Sequence, residues 1–367
     1  MPIYLGSHKL GDICKGSGSI TRGYYGSTLV YEKPQPQPSL PPYTMRLLYK
    51  DGVTPTSRLG TLSQVSSSPN VWDVTYENSD WEFLLTYSTY SDLLEVLGAN
   101  ITGVTSMCGV FYKCTSLTNV ALFDTRSVTN MAAMFEGCSS LTTVPLFDTS
   151  HVTFMNGIFR DCSSLTTVPL FDTSALTMMQ NVFNGCSSLT TVPLFNTSAV
   201  CDTNSLFKGC TSLTSVPLFD TSSLQYAQEM FSGCTHLTSV PLFNTSSLVD
   251  MEGMFYNCYS LTTLPLFNTS SVVKMGSYGL YGLGAFQNCW VLTSLPLFDT
   301  HLVEDMTRAF MGCNRVQSGA LALYQQASTQ SNPPTHHQLA FTDCGAGTES
   351  GAAELAQIPQ SWGGRMQ

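Results

Sequence analysis

Cysteine is the residue type in this chain that could do the most chemistry, because a thiol can attack as a nucleophile, ligate a metal or form a disulfide. Nine of the thirteen cysteines follow one another at intervals of 24 residues, with a single interval of 31. They are Cys114, Cys138, Cys162, Cys186, Cys210, Cys234, Cys258, Cys289 and Cys313. No Cys-x-x-Cys pair or histidine cluster accompanies them, so their spacing does not favour a metal site.

The regular interval also argues against disulfides. If each interval is one coil of a stacked structure, equivalent side chains repeat about every 4.8 Å and run parallel, which keeps their Cβ atoms too far apart for an unstrained bridge. The total of thirteen is odd as well. We therefore predict a structural column of buried, reduced thiols that pack as small apolar side chains.

No other residue pattern predicts catalysis. The sequence has no nucleophile elbow, zinc-protease motif, phosphate loop or dinucleotide fingerprint. Three histidines fall at different positions of the repeat, and three further cysteines lack a catalytic partner: His151, His236, His301, Cys14, Cys201 and Cys344. We expect Cys14 and Cys344 to lie off the array and His336-His337 to sit in a loop. The sequence predicts no catalytic residue, no metal and no cofactor, and hence no enzyme.

The cysteines are positioned by copies of one 24-residue unit. "CSSLTTVPLFDTSHVTFM" begins at Cys138, and "CSSLTTVPLFDTSALTMM" begins 24 residues later. Apolar residues recur at Val152, Met155, Ile158, Phe159, Cys162, Leu165, Val168, Leu170 and Phe171. One unit is too short to bury these side chains alone, so successive units must stack. The repeats predict one right-handed repeat solenoid of about nine coils.

Each unit divides into two blocks. "LTTVPLF" has the composition of a strand, and the apolar spacing of "VTFMNGIF" suits a short helix or turn. Because proline removes a backbone donor, we expect very short parallel strands that end or bulge near the Val-Pro step. The Asp or Asn that follows, such as Asp148, can close an Asx turn or cap the next segment. A calcium ladder is the alternative, disfavoured because three of the eight equivalent residues are neutral Asn.

Composition excludes two classes of partner. The net charge of −10 argues against nucleic acid, which requires a basic surface. No apolar run approaches the length of a membrane-spanning helix, so we expect no membrane insertion. The N-terminus lacks the basic and apolar regions of a secretory signal, from which we expect a cytosolic protein or one that leaves the cell by another route.

The pattern "MFxGCxSLTxVPLFxTSxVxxM" resembles the BspA-like class of bacterial leucine-rich repeats over residues 101–315. The resemblance implies a leucine-rich-repeat β-solenoid, a location on a surface, and binding to host proteins, cells or glycans, with no catalytic residues. Three flanking stretches resemble segments of virion proteins of gut bacteriophages: "MPIYLGSHKLGDICKGSGSITRGYYGSTLVYE", "SSPNVWDVTYENSDW" and "LLEVLGANITGV".

The flanks divide the chain further. Gly-Ser steps at Gly6, Gly16 and Gly26 mark turns between short strands, which predicts a small all-β module. The predicted domains are a β attachment module (1–33), a Pro-rich linker (34–42), an N-terminal cap (43–100), the solenoid (101–315) and a C-terminal cap with short helices (316–367). Trp72 and Trp81 are expected to pack over the first coil.

Recognition is expected where the copies differ. The threonines of the "LTTVPLF" block repeat without change and could suit a periodic ligand such as ice, although threonine rows also simply satisfy exposed strands. By contrast, one position at the start of the turn block varies between copies. Its residues are Phe154, Met178, Asp202, Tyr226, Asp250, Lys274 and Asp305. These residues are either unconstrained or a mosaic binding surface, joined by Arg160, Asn184, Lys208 and Tyr256.

The seven-residue insertion between Cys258 and Cys289 includes "GSYGLYGLG" (276–284), in which glycines flank Tyr278 and Tyr281. Insertions in repeat proteins form loops, often on the binding face. The predicted ligand-binding residues are Tyr278, Tyr281, Phe154, Met178, Tyr226 and Tyr256.

Two functions are compatible with the sequence. The first is a virion-associated adhesion or fibre protein, assembled in the host cytoplasm. It would attach to other virion proteins through residues 1–33 and bind a host-surface protein or glycan through the solenoid. The second is a BspA-like adhesin on a bacterial cell surface. A homo-oligomer is compatible with both.

Overall fold

The computed structural model describes residues 40–55, 60–65, 68–76 and 90–365, together with the backbone of four short strands. These strands form two antiparallel pairs, β1 (Tyr4–Leu5) with β2 (His8–Lys9) and β3 (Arg22–Tyr25) with β4 (Thr28–Glu32). The predicted roles of residues 1–33 and of Cys14, the part of the linker before residue 40, and the packing of Trp81 lie outside the described residues.

The first described domain is a five-stranded sheet that leads into the repeats. Its strands are β5 (Thr44–Tyr49), β6 (Gly60–Gln64), β7 (Val71–Tyr76), β8 (Leu93–Asn100) and β9 (Asn119–Val120), in the order β6-β7-β5-β8-β9. The pairs are antiparallel except β8 with β9, which is parallel. Because β9 belongs to the first repeat, the sheet and the repeats share one apolar core, and Trp72 packs against that core. Its packing over the first coil stays a prediction.

The repeats stack as coils around two columns of buried side chains. The phenylalanine rings of the turn block lie one above another, with centroids of successive rings 5.4 to 5.9 Å apart from Phe111 to Phe341. The nine periodic cysteines are fully buried beside them. This confirms the predicted repeat solenoid and its shared core.

The parallel strands predicted in the "LTTVPLF" blocks are wrong for all copies except β9 in the first. Between most successive copies the stacked threonines are joined by one backbone hydrogen bond, such as that from Thr166 N to Thr142 O at 3.1 Å. The proline removes the next donor, and its carbonyl accepts a hydrogen bond from the phenylalanine two residues on, as from Phe171 N to Pro169 O at 3.0 Å. This inverse γ-turn replaces the strand.

The coil-to-coil backbone ladder lies instead in the turn block. Isolated parallel bridges join Ser106, Asn130 and Phe154, and then run from Met178 to His336 through the residues of the changing position. In the turn residues that follow each bridge, backbone amides of one coil donate hydrogen bonds to carbonyls of the next coil, as from Phe135 N to Ile158 O at 2.9 Å. The block is a turn, one of the two forms predicted for it.

The stacked core extends beyond residue 315, where the sequence placed its end. Phe341 stacks on Phe310 at 5.5 Å, and Cys344 is buried next in the cysteine column. The prediction that Cys344 lies off the array is therefore wrong. Two helices were predicted in this region, and α1 (Ala320–Thr329) and α2 (Glu349–Leu355) lie there. Trp362 ends the phenylalanine column at 6.4 Å from Phe341. Across the described ranges, no helix combines the length and apolarity needed to span a membrane.

Candidate recognition surface

The turn blocks form one side of the solenoid, which we call the turn side (residues 130–137 and their equivalents in later coils). The turns contain two residues with left-handed backbone, such as Gly157 (φ 65°) and Asp161 (φ 58°) in one coil, except the turn that ends at Asn288, which contains one. The second position is glycine in half of the turns, which explains the glycine of the repeat, because a left-handed conformation strains other residues. In the other turns it is Lys113, Asp161, Asn257, Asn288 or Asp343. Since the backbone carries the turn, its outward side chains can change from coil to coil.

The seven changing residues, Phe154, Met178, Asp202, Tyr226, Asp250, Lys274 and Asp305, form a row at the start of the turn side, which we call the variable row. Its aspartates accept hydrogen bonds within the turn, whereas its aromatic residues face solvent. The aspartates hold the turn, since Asp202 Oδ1 accepts from Asn204 N at 2.9 Å and Asp250 Oδ1 accepts from Glu252 N at 3.0 Å. Asp250 is buried, whereas Phe154 and Tyr226 are exposed.

The inserted loop (276–284) is fixed to the turn side through its backbone. Tyr278 N donates to Asp305 Oδ2 at 2.9 Å, and Leu283 N donates to Glu252 Oε1 at 3.3 Å. Arg308 Nη1 donates to the carbonyls of Gly279 and Gly282 at 3.0 and 2.8 Å. The loop therefore has a defined backbone although it projects from the coil.

Glycines permit this close seating. A Cβ on Gly276 would lie 2.0 Å from the carbonyl oxygen of Thr307, and one on Gly284 would lie 1.8 Å from that of Arg308. Either contact is far inside van der Waals distance, so both ends of the loop require glycine. The glycines thus allow the loop to lie against the next coil, rather than serving only as flexible links.

Three large side chains of the loop face solvent. Tyr278 is 65% exposed, Leu280 84% and Tyr281 88%. The Tyr278 ring lies 5.1 Å from the ring of His336 and lies over the end of the variable row. Three large side chains are thus held out from one anchored segment, which is how aromatic binding loops present contact area at low entropic cost.

The structure places the predicted binding residues on the turn side, but it does not gather them at one point. Tyr278 and Tyr281 share the loop, next to Lys274. Tyr226 precedes Lys274 by two coils, and Tyr256 is half-buried in the turn before the loop. Phe154 and Met178 lie near the opposite end of the row. The predicted residues form an extended surface, and exposed apolar side chains are most closely grouped at the inserted loop.

Sequence reasoning missed three features of this region. Leu280 is as exposed as its tyrosine neighbours, and Arg308 holds the loop. Trp290 stacks on Tyr259 at 4.1 Å and is half-exposed. The signal for this pair was available, because both aromatics directly follow a periodic cysteine, where most other copies have Ser or Thr.

The cysteine column offers no chemistry at the surface. The thiols donate to the phenylalanine carbonyl of the preceding coil, as from Cys210 Sγ to Phe183 O at 3.1 Å. Burial removes water from the thiolate and so raises the pKa of Cys114, Cys138, Cys162, Cys186, Cys210, Cys234, Cys258, Cys289 and Cys344. All twelve described cysteines are free thiols.

The Asp and Asn residues after each "LTTVPLF" block close the predicted Asx turns. Asp220 Oδ1 accepts from Ser222 N at 3.0 Å and from Ser222 Oγ at 2.7 Å, and these hydrogen bonds lower the pKa of Asp220. Equivalent bonds recur at Asp148, Asp172, Asn196 and Asn244. Among the described residues no three metal-ligating side chains converge.

Comparison with known proteins places the repeats in a family. Residues 88–193 and 177–290 match the sequence profile described as "Mycoplasma protein of unknown function, DUF285". Together the two matches span more than half of the chain. The chain belongs to this family. The DUF285 matches begin just before β8 and end at Trp290, so they include the variable row up to Lys274 and the inserted loop.

Two further comparisons were with solved structures and with curated protein sequences. Twelve chains of solved structures match. One is a leucine-rich repeat protein from Eubacterium ventriosum ATCC 27560, with 19% identity and a TM-score of 0.29. The match covers 55% of this chain and 66% of the other, so this chain spans just under two thirds of that protein. No curated protein sequence matches.

Proposed function

We propose that this DUF285 chain is a non-catalytic recognition protein that binds a protein or branched glycan on a cell surface through the inserted loop and the variable row. One observation carries the proposal. Tyr278, Leu280 and Tyr281 are exposed on a loop whose backbone is fixed by Glu252, Asp305 and Arg308. A fixed backbone lowers the entropic cost of binding, and exposed aromatic groups supply contact area.

The form of the surface favours an irregular ligand. The loop occurs once, and the exposed residues of the variable row differ between coils, for example Phe154, Tyr226 and Lys274. A periodic polymer would present the same groups to every coil, whereas a folded protein or branched glycan presents different groups. Large side chains of mixed type match the second kind of ligand.

Two settings could display such a surface. In the virion setting, residues 1–33 attach the chain to other virion proteins, and the loop binds the bacterial host. In the bacterial-surface setting, the same loop binds a host or neighbouring cell. A labelled full-length chain added to panels of bacterial and animal cells separates them: the virion setting predicts binding to particular bacterial strains, and deletion of residues 1–33 then removes the chain from particles.

The site itself is tested with the Tyr278→Ala, Tyr281→Ala double variant in a cell-binding titration. We expect adsorption to weaken tenfold or more, which corresponds to about 1.4 kcal/mol. The melting temperature should stay unchanged, because both rings are largely exposed. Leu302→Ala is the control, since Leu302 is a half-exposed apolar residue outside the loop and the variable row.

Adsorption of the double variant at wild-type strength would refute the role of the loop. Loss of adsorption in Leu302→Ala to the same extent would show a general effect of removing surface apolar groups. A fall in melting temperature of the double variant would mean that the tyrosines stabilise the fold, and the binding result would then not support the proposal.

A further inference from the structure

A row of exposed leucines lies outside the proposed recognition surface. The apolar pattern of the repeat places Leu170 among the core positions, and that prediction is wrong, because the leucine after the proline faces solvent. Its equivalents are exposed by 43 to 62% in six coils: Leu170, Leu194, Leu218, Leu242, Leu266 and Leu297. Six large apolar side chains in one line on a surface need an explanation.

The cause of the exposure is local. The inverse γ-turn from the proline carbonyl to the phenylalanine amide, as at Pro241 and Phe243, puts the intervening Leu242 at the tip of the turn. The phenylalanine side chain is then buried and the leucine is exposed. Every described copy from Pro145 to Pro296 has this bond, so the row is built into the repeat rather than being a defect of one coil.

The leucine row belongs to a larger uniform surface, which we call the constant face (the outward residues of the "LTTVPLF" blocks). Next to the leucines run the exposed threonine positions, such as Thr214 and Thr238. None of the eight blocks from Leu117 to Phe298 contains a charged residue or histidine, although the chain has a net charge of −10. Most charged side chains of the repeats lie on the turn side or at the Asx turns.

We propose that the constant face is a self-association surface, whose partner is the constant face of a second copy of this chain. Identical groups repeat along this face once per coil, so a partner can contact every coil in the same way only if it has the same period. A second copy meets this condition by symmetry. Two chains of net charge −10 repel each other overall, and the constant face is a broad uncharged surface on which they can meet with the acidic side chains of the Asx turns at its edge.

The size of the face matches that of a stable interface. Eight blocks at about 4.8 Å per coil extend roughly 38 Å, and because the γ-turn shortens each block, about five residues at about 3.3 Å each give a width of roughly 16 Å. The product, roughly 600 Å², lies at the lower end of the ~600 to ~1,000 Å² that each partner contributes to an interface of standard size. The proposed dimer leaves the inserted loop and the variable row uncovered, so it could present two recognition surfaces.

Sedimentation velocity of the full-length chain, from about 1 to about 100 µM, tests the proposal, with association expected within that range. Leu242→Glu places a carboxylate near the middle of the constant face and should weaken association at least tenfold. Leu302→Glu is the matched control, because it makes the same substitution at a residue that is 49% exposed, compared with 61% for Leu242, but lies off the face. It should change the association constant less than twofold.

If the wild-type chain remains a monomer throughout the range, the proposal is overturned. The constant face would then be free in solution, covered by another segment of the chain, or a binding site for a periodic polymer. Equal weakening by Leu242→Glu and Leu302→Glu overturns the proposal as well, because association would then not depend on this face. Circular dichroism of both variants checks that they fold. If Leu242→Glu does not fold, Leu242→Ser provides the same comparison without a charge.

Discussion

Replacing one thiol of the cysteine column should cost more stability than replacing a thiol at the surface. Cys210 is fully buried, and its Sγ donates to Phe183 O at 3.1 Å. In Cys210→Ala the sulfur is lost and a small cavity remains between coils. Phe183 O keeps the hydrogen bond from Cys186 N at 3.1 Å, so no carbonyl is left without a donor.

The magnitude follows from these two losses. Removing one buried heavy atom of about the size of a methyl group costs about 1 kcal/mol in transfer and cavity energy. The S–H···O hydrogen bond contributes about 0.5 to 1 kcal/mol. We therefore expect Cys210→Ala to lower the free energy of unfolding by about 1.5 to 2 kcal/mol, because coil stability depends on contact with both neighbouring coils.

Urea unfolding followed by far-ultraviolet circular dichroism measures this change. Cys201→Ala is the control in the same region, because Cys201 is half-exposed and its Sγ lies 3.5 Å from Thr177 O. It should cost less than about 0.5 kcal/mol. Equal costs for the two variants, or no measurable cost for Cys210→Ala, would refute the argument that the column is a structural element.

Two further predictions concern pH and the contacts between coils. Burial raises the pKa of the column thiols such as Cys210, so the folded chain keeps them protonated while the unfolded chain ionises them above about pH 8.5. The contribution of these thiols to the free energy of unfolding should be fully present below about pH 8.5 and should decrease above it, by up to about 1.4 kcal/mol per pH unit for each thiol. A urea midpoint that stays constant from pH 7 to pH 10 would contradict this. Thr221 is buried and donates from Oγ1 to Asn244 O at 2.9 Å, so Thr221→Val should lower the free energy of unfolding by about 1 to 2 kcal/mol. The exposed Thr214→Val should change it by less than about 0.5 kcal/mol, and a similar effect of both substitutions would argue against the buried hydrogen bond.

The parts of the fold that could be predicted are those that the period alone determines. Recurring Phe159 and Cys162 equivalents had to stack, and Asp148 followed by Ser150 had to close an Asx turn, because both follow from identity at fixed offsets. The strand and the exposure of Leu170 could not be predicted in this way. They depend on whether the Pro169 carbonyl bonds within its own coil or leaves the segment extended, which apolar patterning does not specify.

The end of the array was misplaced for a different reason. In the last coil helix α1 replaces the "LTTVPLF" block, so the interval from Cys313 to Cys344 is 31 residues and the usual neighbours are missing. The short match between "AFMGC" (309–313) and "AFTDC" (340–344) was the remaining signal.

The candidate site could be located by sequence but not described. The unusual length between Cys258 and Cys289 pointed to the inserted loop. The anchoring of the loop could not be predicted, because Glu252, Asp305 and Arg308 lie 26 to 31 residues from the loop residues that they contact and meet them only through the stacking of coils. The aspartates of the variable row illustrate the same limit, since variation between copies did not reveal that Asp202 and Asp250 hold the turn.

Covalent labelling of exposed side chains, compared between the free chain and the chain bound to the cells it adsorbs to, tests most directly whether recognition lies on the inserted loop. We predict that binding protects Tyr278 and Tyr281 strongly and Tyr226 to a lesser degree, while Leu302, which lies off that surface, is labelled equally in both states. Full labelling of Tyr278 and Tyr281 in the bound chain, with protection elsewhere, would contradict the account.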